Sequence, residues 1–142
     1  MANPPPSFSA RELLDARNAA RKHVGSSPLV WSSTLANHVR SWAEHLVATH
    51  AFARQPDNPH GENLFLISGG TIAPTEAVQA WVAEMRDYDP DTNSCISVCG
   101  HHTQVVWRAT RAVGCGVAVD GYRQVWVCKY DPAGNVVGVR PY

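Results

Sequence analysis

The sequence predicts an α+β domain in which three helices pack against a short antiparallel sheet. Three observations predict it. Apolar residues recur at helical spacing in three stretches that together fill most of residues 9–86. Two strand-like runs, 113–119 and 124–130, follow near the end. The chain has 142 residues, enough to bury about two thirds of its unfolded surface in one core and too few for a second domain. Helices followed by strands, each apolar on one side, favour a layered α+β arrangement.

Residues 1–8 are rich in proline and read as an extended lead-in to a domain spanning 9–142. Ser9 followed by Glu12 has the spacing of a capping box. Leu13, Leu14, Arg17, Ala20, Arg21 and Val24 continue at helical spacing, which gives a first helix over about 9–23, ending near Gly25. Pro28 to Trp31 is extended, and Ser32 or Ser33 caps a second helix reaching about Thr49, with Leu35, Val39, Trp42 and Leu46 as its apolar stripe. Pro56, Asp57, Asn58 and Pro59 make a loop. In Gly61-Glu62-Asn63-Leu64-Phe65-Leu66-Ile67 a charged residue stands just ahead of an apolar run. A third helix over about 75–86 places Val78, Trp81, Val82 and Met85 on one side. Residues 87–98 read as a polar loop, and the two strands close the chain.

Twelve basic and twelve acidic side chains balance, so no long-range field draws the chain to nucleic acid or to an anionic membrane. No apolar run approaches the ~20 residues that span a bilayer, and residues 1–6 lack the apolar core of a signal peptide. The chain is therefore cytosolic or has had a targeting segment removed. Four cysteines, Cys95, Cys99, Cys115 and Cys128, allow three disulfide pairings. Free buried thiols or a zinc site are the alternatives, but Cys115 and Cys128 lie in strand-like sequence without the spacing of a zinc knuckle.

The centre of the chain is Cys99-Gly-His101-His102-Thr103-Gln104-Val105-Val106-Trp107-Arg108, a polar group followed by a hydrophobic plug. Together with 127–135, Gly61-Glu62-Asn63-Leu64-Phe65 and Ala77-Val-Gln-Ala-Trp81-Val-Ala-Glu84, it resembles the CAP superfamily of cysteine-rich secretory, antigen 5 and pathogenesis-related proteins, in its plant pathogenesis-related branch. The resemblance implies a three-layer α-β-α sandwich and disulfides Cys95–Cys99 and Cys115–Cys128. On a chain-entropy estimate these would contribute about 2 and about 3 kcal/mol before strain. Cys115 faces Cys128 only if the strands are joined by a four-residue loop, Asp120 to Arg123, because a two-residue Asp120-Gly121 turn would set it opposite Trp126. Disulfides favour an oxidising compartment and hence a secreted protein.

In that family two histidines and two glutamates face one another in a cleft, and in some members the histidines bind a divalent metal such as zinc. By motif, this chain supplies Glu62, Glu84 and His101. The other histidine position falls on Arg54, or in a shifted register on His60 or His50. An arginine offers no lone pair to a metal, although its fork can bridge two carboxylates. The expectation is that Arg54 pairs with Glu62 or Glu84, that zinc binds weakly or not at all, with His101 as its one clear ligand, and that no cofactor is required. His102 stands where the family commonly has an aromatic residue and is expected to pack.

The implied function is that of a secreted, monomeric defence protein with antifungal activity that binds sterols or related lipids without catalysing a reaction. Trp81 and Tyr88 are the lipid-contact candidates. Residues 132–142 resemble a peptide that plant members release as an immune signal, by cleavage between Asp131 and Pro132. A metal-dependent hydrolase using His101 with Glu62 and Glu84 is the third reading, and no activated nucleophile accompanies it.

Overall fold

The computed structural model describes residues 10–70, 72–121 and 123–142. The lead-in, the capping serine Ser9, Thr71 and Tyr122 lie outside the described residues. The elements in order are α1 (Ala10–Val24), β1 (Val30–Trp31), α2 (Ser33–Thr49), β2 (Gly61–Ser68), α3 (Pro74–Val82), a 3₁₀ turn (Ala83–Asp87), β3 (Tyr88–Asp89), β4 (Ser94–Cys95), α4 (Gly100–Val105), β5 (Ala112–Val119) and β6 (Arg123–Asp131). The main sheet runs β1-β5-β6-β2, with β1 parallel to β5 and the other neighbours antiparallel.

Layering follows from strand alternation. Side chains on successive strand residues point to opposite faces, so Val125, Val127, Ala118, Leu64 and Leu66 meet Val39, Ala43, Leu46 and Val47 of α2. Val113, Cys115, Val117, Trp126, Cys128, Tyr130 and Phe65 form the second core with Leu13 of α1, Val78 and Trp81 of α3, and Val105 of α4. The result is an α-β-α sandwich. The α2 backbone comes so close to β5 that a Cβ on Gly114 would lie 2.3 Å from Ala36 N, and one on Gly116 2.9 Å from the Arg40 backbone. Only glycine leaves that room.

Ser32 caps α2, its hydroxyl accepting from Leu35 N at 3.1 Å. Cys115 pairs directly with Cys128 and Val119 with Gln124, which leaves residues 120–123 as the connecting loop. Both disulfides, Cys95–Cys99 and Cys115–Cys128, are present.

Several expectations are corrected. There are four helices among the described residues, since 100–105 is helical, and the sheet gains β1 and β2. The polar loop 87–98 contains the β3–β4 hairpin. Helix three gives way to 3₁₀ geometry at Ala83. The tighter winding rotates later residues around the axis, and Met85 turns outward, 39% exposed.

Arg17 and Arg21 of α1 are fully buried. Arg21 fans its donors onto the carbonyls of Ser27, Val105, Trp107 and Thr110 at 2.6–2.9 Å. Burial lowers its pKa to about 10, so the charge is kept at neutral pH and is met by carbonyl dipoles. This fixes α1 to the segment after α4.

Candidate functional site

The 3₁₀ turn after α3 carries Glu84 to the start of α4. That short helix has no side-chain cap of its own at Cys99, so its first amides need an acceptor from elsewhere. Glu84 provides it. Its Oε1 accepts from the amides of His101 at 3.0 Å and His102 at 3.3 Å, while Oε2 lies 2.7 Å from His101 Nδ1. The carboxylate thus fixes both the backbone and the ring of His101. The His101 ring also stacks on Trp81, with centroids 6.1 Å apart, and Asn63 Nδ2 donates to the His101 carbonyl at 3.3 Å.

Glu62 has a different setting. Strand alternation puts it on the α2 face with Leu64 and Leu66, opposite Lys129 of β6, whereas Asn63 faces α4. Its Oε1 accepts from Gln55 N at 3.1 Å, and its buried Oε2 has no partner. Burial raises the Glu62 pKa, opposed by the Gln55 amide and by the charges of Lys129 and Arg54. Burial also lowers the pKa of Lys129, opposed by Glu62. Lys129 Nζ donates to Gln55 Oε1.

Arg54 donates to the main-chain carbonyl of Glu62 at 2.8 Å. The arginine–carboxylate ion pairs among the described residues are Arg11–Asp15 and Arg123–Asp120, so the fork of Arg54 holds a strand end and does not bridge carboxylates. The structure therefore brings Glu84 and His101 into contact and sets Glu62 with Arg54 in a second cluster across the strand. His50 terminates α2 in a left-handed conformation, with φ 55°, and the main chain of His60 is held by the Asn58 side chain. Among the described residues no group of three His, Cys, Asp or Glu could hold a metal ion. The donor set at Glu84–His101 does not fit the divalent metal implied by the resemblance.

A groove of about 450 Å³ runs along the open edge of β2. Phe52, Leu64, Phe65, Leu66 and Trp81 supply its apolar surface, and Glu84 and His101 its polar wall. Trp81 is held by an indole hydrogen bond to the Leu64 carbonyl at 3.2 Å. Tyr88 borders a separate cavity of about 380 Å³ between the β3–β4 hairpin and the C-terminal segment. Two contributors escaped sequence reasoning. Phe52 stands in a loop, and Asn63 had only its place beside Glu62 as a signal.

His102 is fully buried. Its ring lies 6.3 Å from both Tyr88 and Tyr142, neither ring nitrogen has a partner, and burial lowers its pKa to about 4. It fills space as an uncharged ring. The C-terminal segment crosses this region. Gly134 N donates to Gln104 Oε1, Thr103 Oγ1 to Asn135 Oδ1, and Arg108 N to the Pro141 carbonyl.

The model of the cysteine-rich secretory protein family, CAP, matches residues 14–130. The chain is 39% identical to the pathogenesis-related protein PR-1 type of Sambucus nigra, with 94% of this chain and 82% of that protein covered. It is 41% identical to pathogenesis-related protein 1B of Nicotiana tabacum, covering 94% and 81%. Among solved structures, venom allergen-like protein 4 of Schistosoma mansoni superposes with a TM-score of 0.74 at 24% identity, covering 95% of each chain. NaASP2 with Zn2+ gives a TM-score of 0.76 at 22% identity, covering 98% and 88%. The two structural likenesses speak for the fold alone.

Proposed function

This chain belongs to the cysteine-rich secretory protein (CAP) family and is similar to plant pathogenesis-related proteins, and from that premise we propose that it is a secreted defence protein that binds sterols or related lipids. The groove along β2 carries the reading. Its apolar floor and single polar wall suit an amphipathic ligand with a rigid hydrocarbon body and one hydroxyl, the body lying on Phe52, Leu66 and Trp81 and the hydroxyl meeting His101. The chemistry is sequestration, with no bond made or broken. Removing sterol from a fungal membrane would give antifungal activity, and the two disulfides suit an extracellular setting. Among the described residues no helix is long and apolar enough to cross a membrane.

Titration with a fluorescent sterol tests the proposal. Ala80 lines the groove and is exposed, so Ala80→Trp fills the groove without disturbing a core. Saturable binding that weakens at least tenfold in Ala80→Trp is expected. Tyr88→Ala, in the other cavity, is expected to leave binding unchanged. Binding lost in Tyr88→Ala and kept in Ala80→Trp would move the ligand to the second cavity.

Exposure of both Asp131 and Pro132 favours a second reading, release of residues 132–142 as a signalling peptide. The segment is held by side-chain and loop contacts and lies outside the sheet. Extracts of infected tissue should then contain a fragment beginning at Pro132, and its consistent absence would end the idea. A hydrolase reading has less support, because Glu84 is already occupied by three donors and Thr103 Oγ1 is hydrogen-bonded to Gly100 O and Asn135 Oδ1.

A further inference from the structure

Arg17 lies against the Cys115–Cys128 bond. Its Nη2 is 2.8 Å from Cys128 Sγ and 3.3 Å from Cys115 Sγ. The arginine is 0% exposed, and the two cysteines are 1% and 0% exposed. Its remaining partners are neutral. Nε donates to the Tyr130 hydroxyl and Nη1 to the Leu13 carbonyl, and the Trp81 and Tyr130 rings each lie 5.6 Å from the guanidinium carbon. None of the ion pairs among the described residues includes Arg17. A buried cation without an anion is unfavourable, and a disulfide sulfur is a weak acceptor. Reduction of the neighbouring bond would supply the missing anion, because a thiolate beside an arginine is stabilised.

We propose that Cys115–Cys128 is a reducible disulfide, with Arg17 as the group that holds its reduced form. The co-reactant is a dithiol. Its thiolate attacks Cys115 Sγ, the S–S bond breaks, and the electron pair leaves on Cys128 Sγ, the sulfur nearer Nη2. The second thiol of the reductant then closes a disulfide within the reductant and expels Cys115. The protein gains two electrons and one proton, ending as one thiol and one thiolate. The dithiol gives up two electrons and two protons, the second proton going to solvent. Holding the reduced form makes the couple more oxidising. The Cys95–Cys99 bond is an internal reference, since no hydrogen bond to its sulfurs occurs among the described residues, and Arg17 sits on the other pair. The inference is independent of lipid binding.

Both sulfurs are buried, so the rate of reduction reports how α1 opens, and the equilibrium is the quantity to measure. The full chain is equilibrated at pH 7 in mixtures of reduced and oxidised dithiothreitol, quenched in acid and alkylated, and each cysteine pair is quantified by mass spectrometry. In Arg17→Met the equilibrium constant for reducing Cys115–Cys128 is expected to fall at least tenfold, about 30 mV for a two-electron couple, with Cys95–Cys99 unmoved. An unchanged constant overturns the proposal. So does easier reduction, the result a purely packing role for Arg17 would give. Should the variant fail to fold, the wild type decides. Proton uptake on reduction drops from two to one above the thiolate pKa, and the drop is expected well below the ordinary cysteine value of about 8.5. A drop at or above that value overturns the proposal equally.

Discussion

Glu84 and Glu62 belong to two clusters separated by one strand, and they live under opposite conditions. Glu84 meets three donors from the start of α4, so each of its oxygens is satisfied. Glu62 meets one amide, and its second oxygen is buried without a partner. The histidines repeat the contrast one residue apart. The His101 ring is tied to Glu84, while both nitrogens of the His102 ring are unpartnered. A polar group surrounded by partners clamps the fold and keeps its geometry. One that lacks them responds to protons.

Removing the clamp should have the largest effect. Glu84→Ala deletes three charge-assisted hydrogen bonds and frees the first amides of α4, with an expected loss of about 3–4 kcal/mol in urea unfolding. A loss below about 1 kcal/mol would break the contrast. Next comes His102. Its pKa of about 4 in the fold lies below its ordinary 6.5, so between those values the unfolded chain binds more protons, and stability falls as pH drops. The fall is expected to reach about 3 kcal/mol by pH 4, and to vanish in His102→Phe, whose neutral-pH stability should rise by about 1 kcal/mol. Thermal unfolding from pH 7 to 4 checks both.

Glu62 has the opposite sign. Its pKa is raised, so the folded state binds more protons just above pH 4.5, and stability falls as pH rises through that window. Glu62→Gln keeps the acceptor for Gln55 N and removes the buried charge. A gain of about 1 kcal/mol at pH 7 is expected, best measured in the His102→Phe background, where the competing slope is gone. A loss above about 2 kcal/mol would place Glu62 with Glu84 among the clamps. The smallest effect concerns metal. Micromolar zinc should leave the melting temperature unchanged, since a ligand binding only the native state would raise it. A rise abolished by His101→Ala would overturn this.

Local chemistry was legible in the chain. A serine at 32 or 33 announced α2 and Ser32 proves to be the cap, two strand-like runs announced β5 and β6, and a disulfide between Cys115 and Cys128 required the register the structure shows. What stayed hidden depends on partners distant in sequence. Helix α4 has six residues and no cap of its own, and the acceptor it needs arrives from Glu84. Arg17 and Arg21 could be placed on a helical stripe, but nothing nearby tells that sulfurs and carbonyls 84 to 111 residues later receive them. The separation of Glu62 from His101 needs the β2–β6 register, because one residue of slip exchanges the faces. That Arg54 donates to a carbonyl and not to a carboxylate is a matter of three-dimensional reach.

Arg21 sets an order of events in the making of the molecule. Its residue leaves the ribosome well before Val105, Trp107 and Thr110, which own three of the four carbonyls that receive its charge. Until those are synthesised, docking the first helix would strand a cation in an apolar interior. Helix α1 must therefore wait in solvent, and the domain closes only after Thr110 has been made.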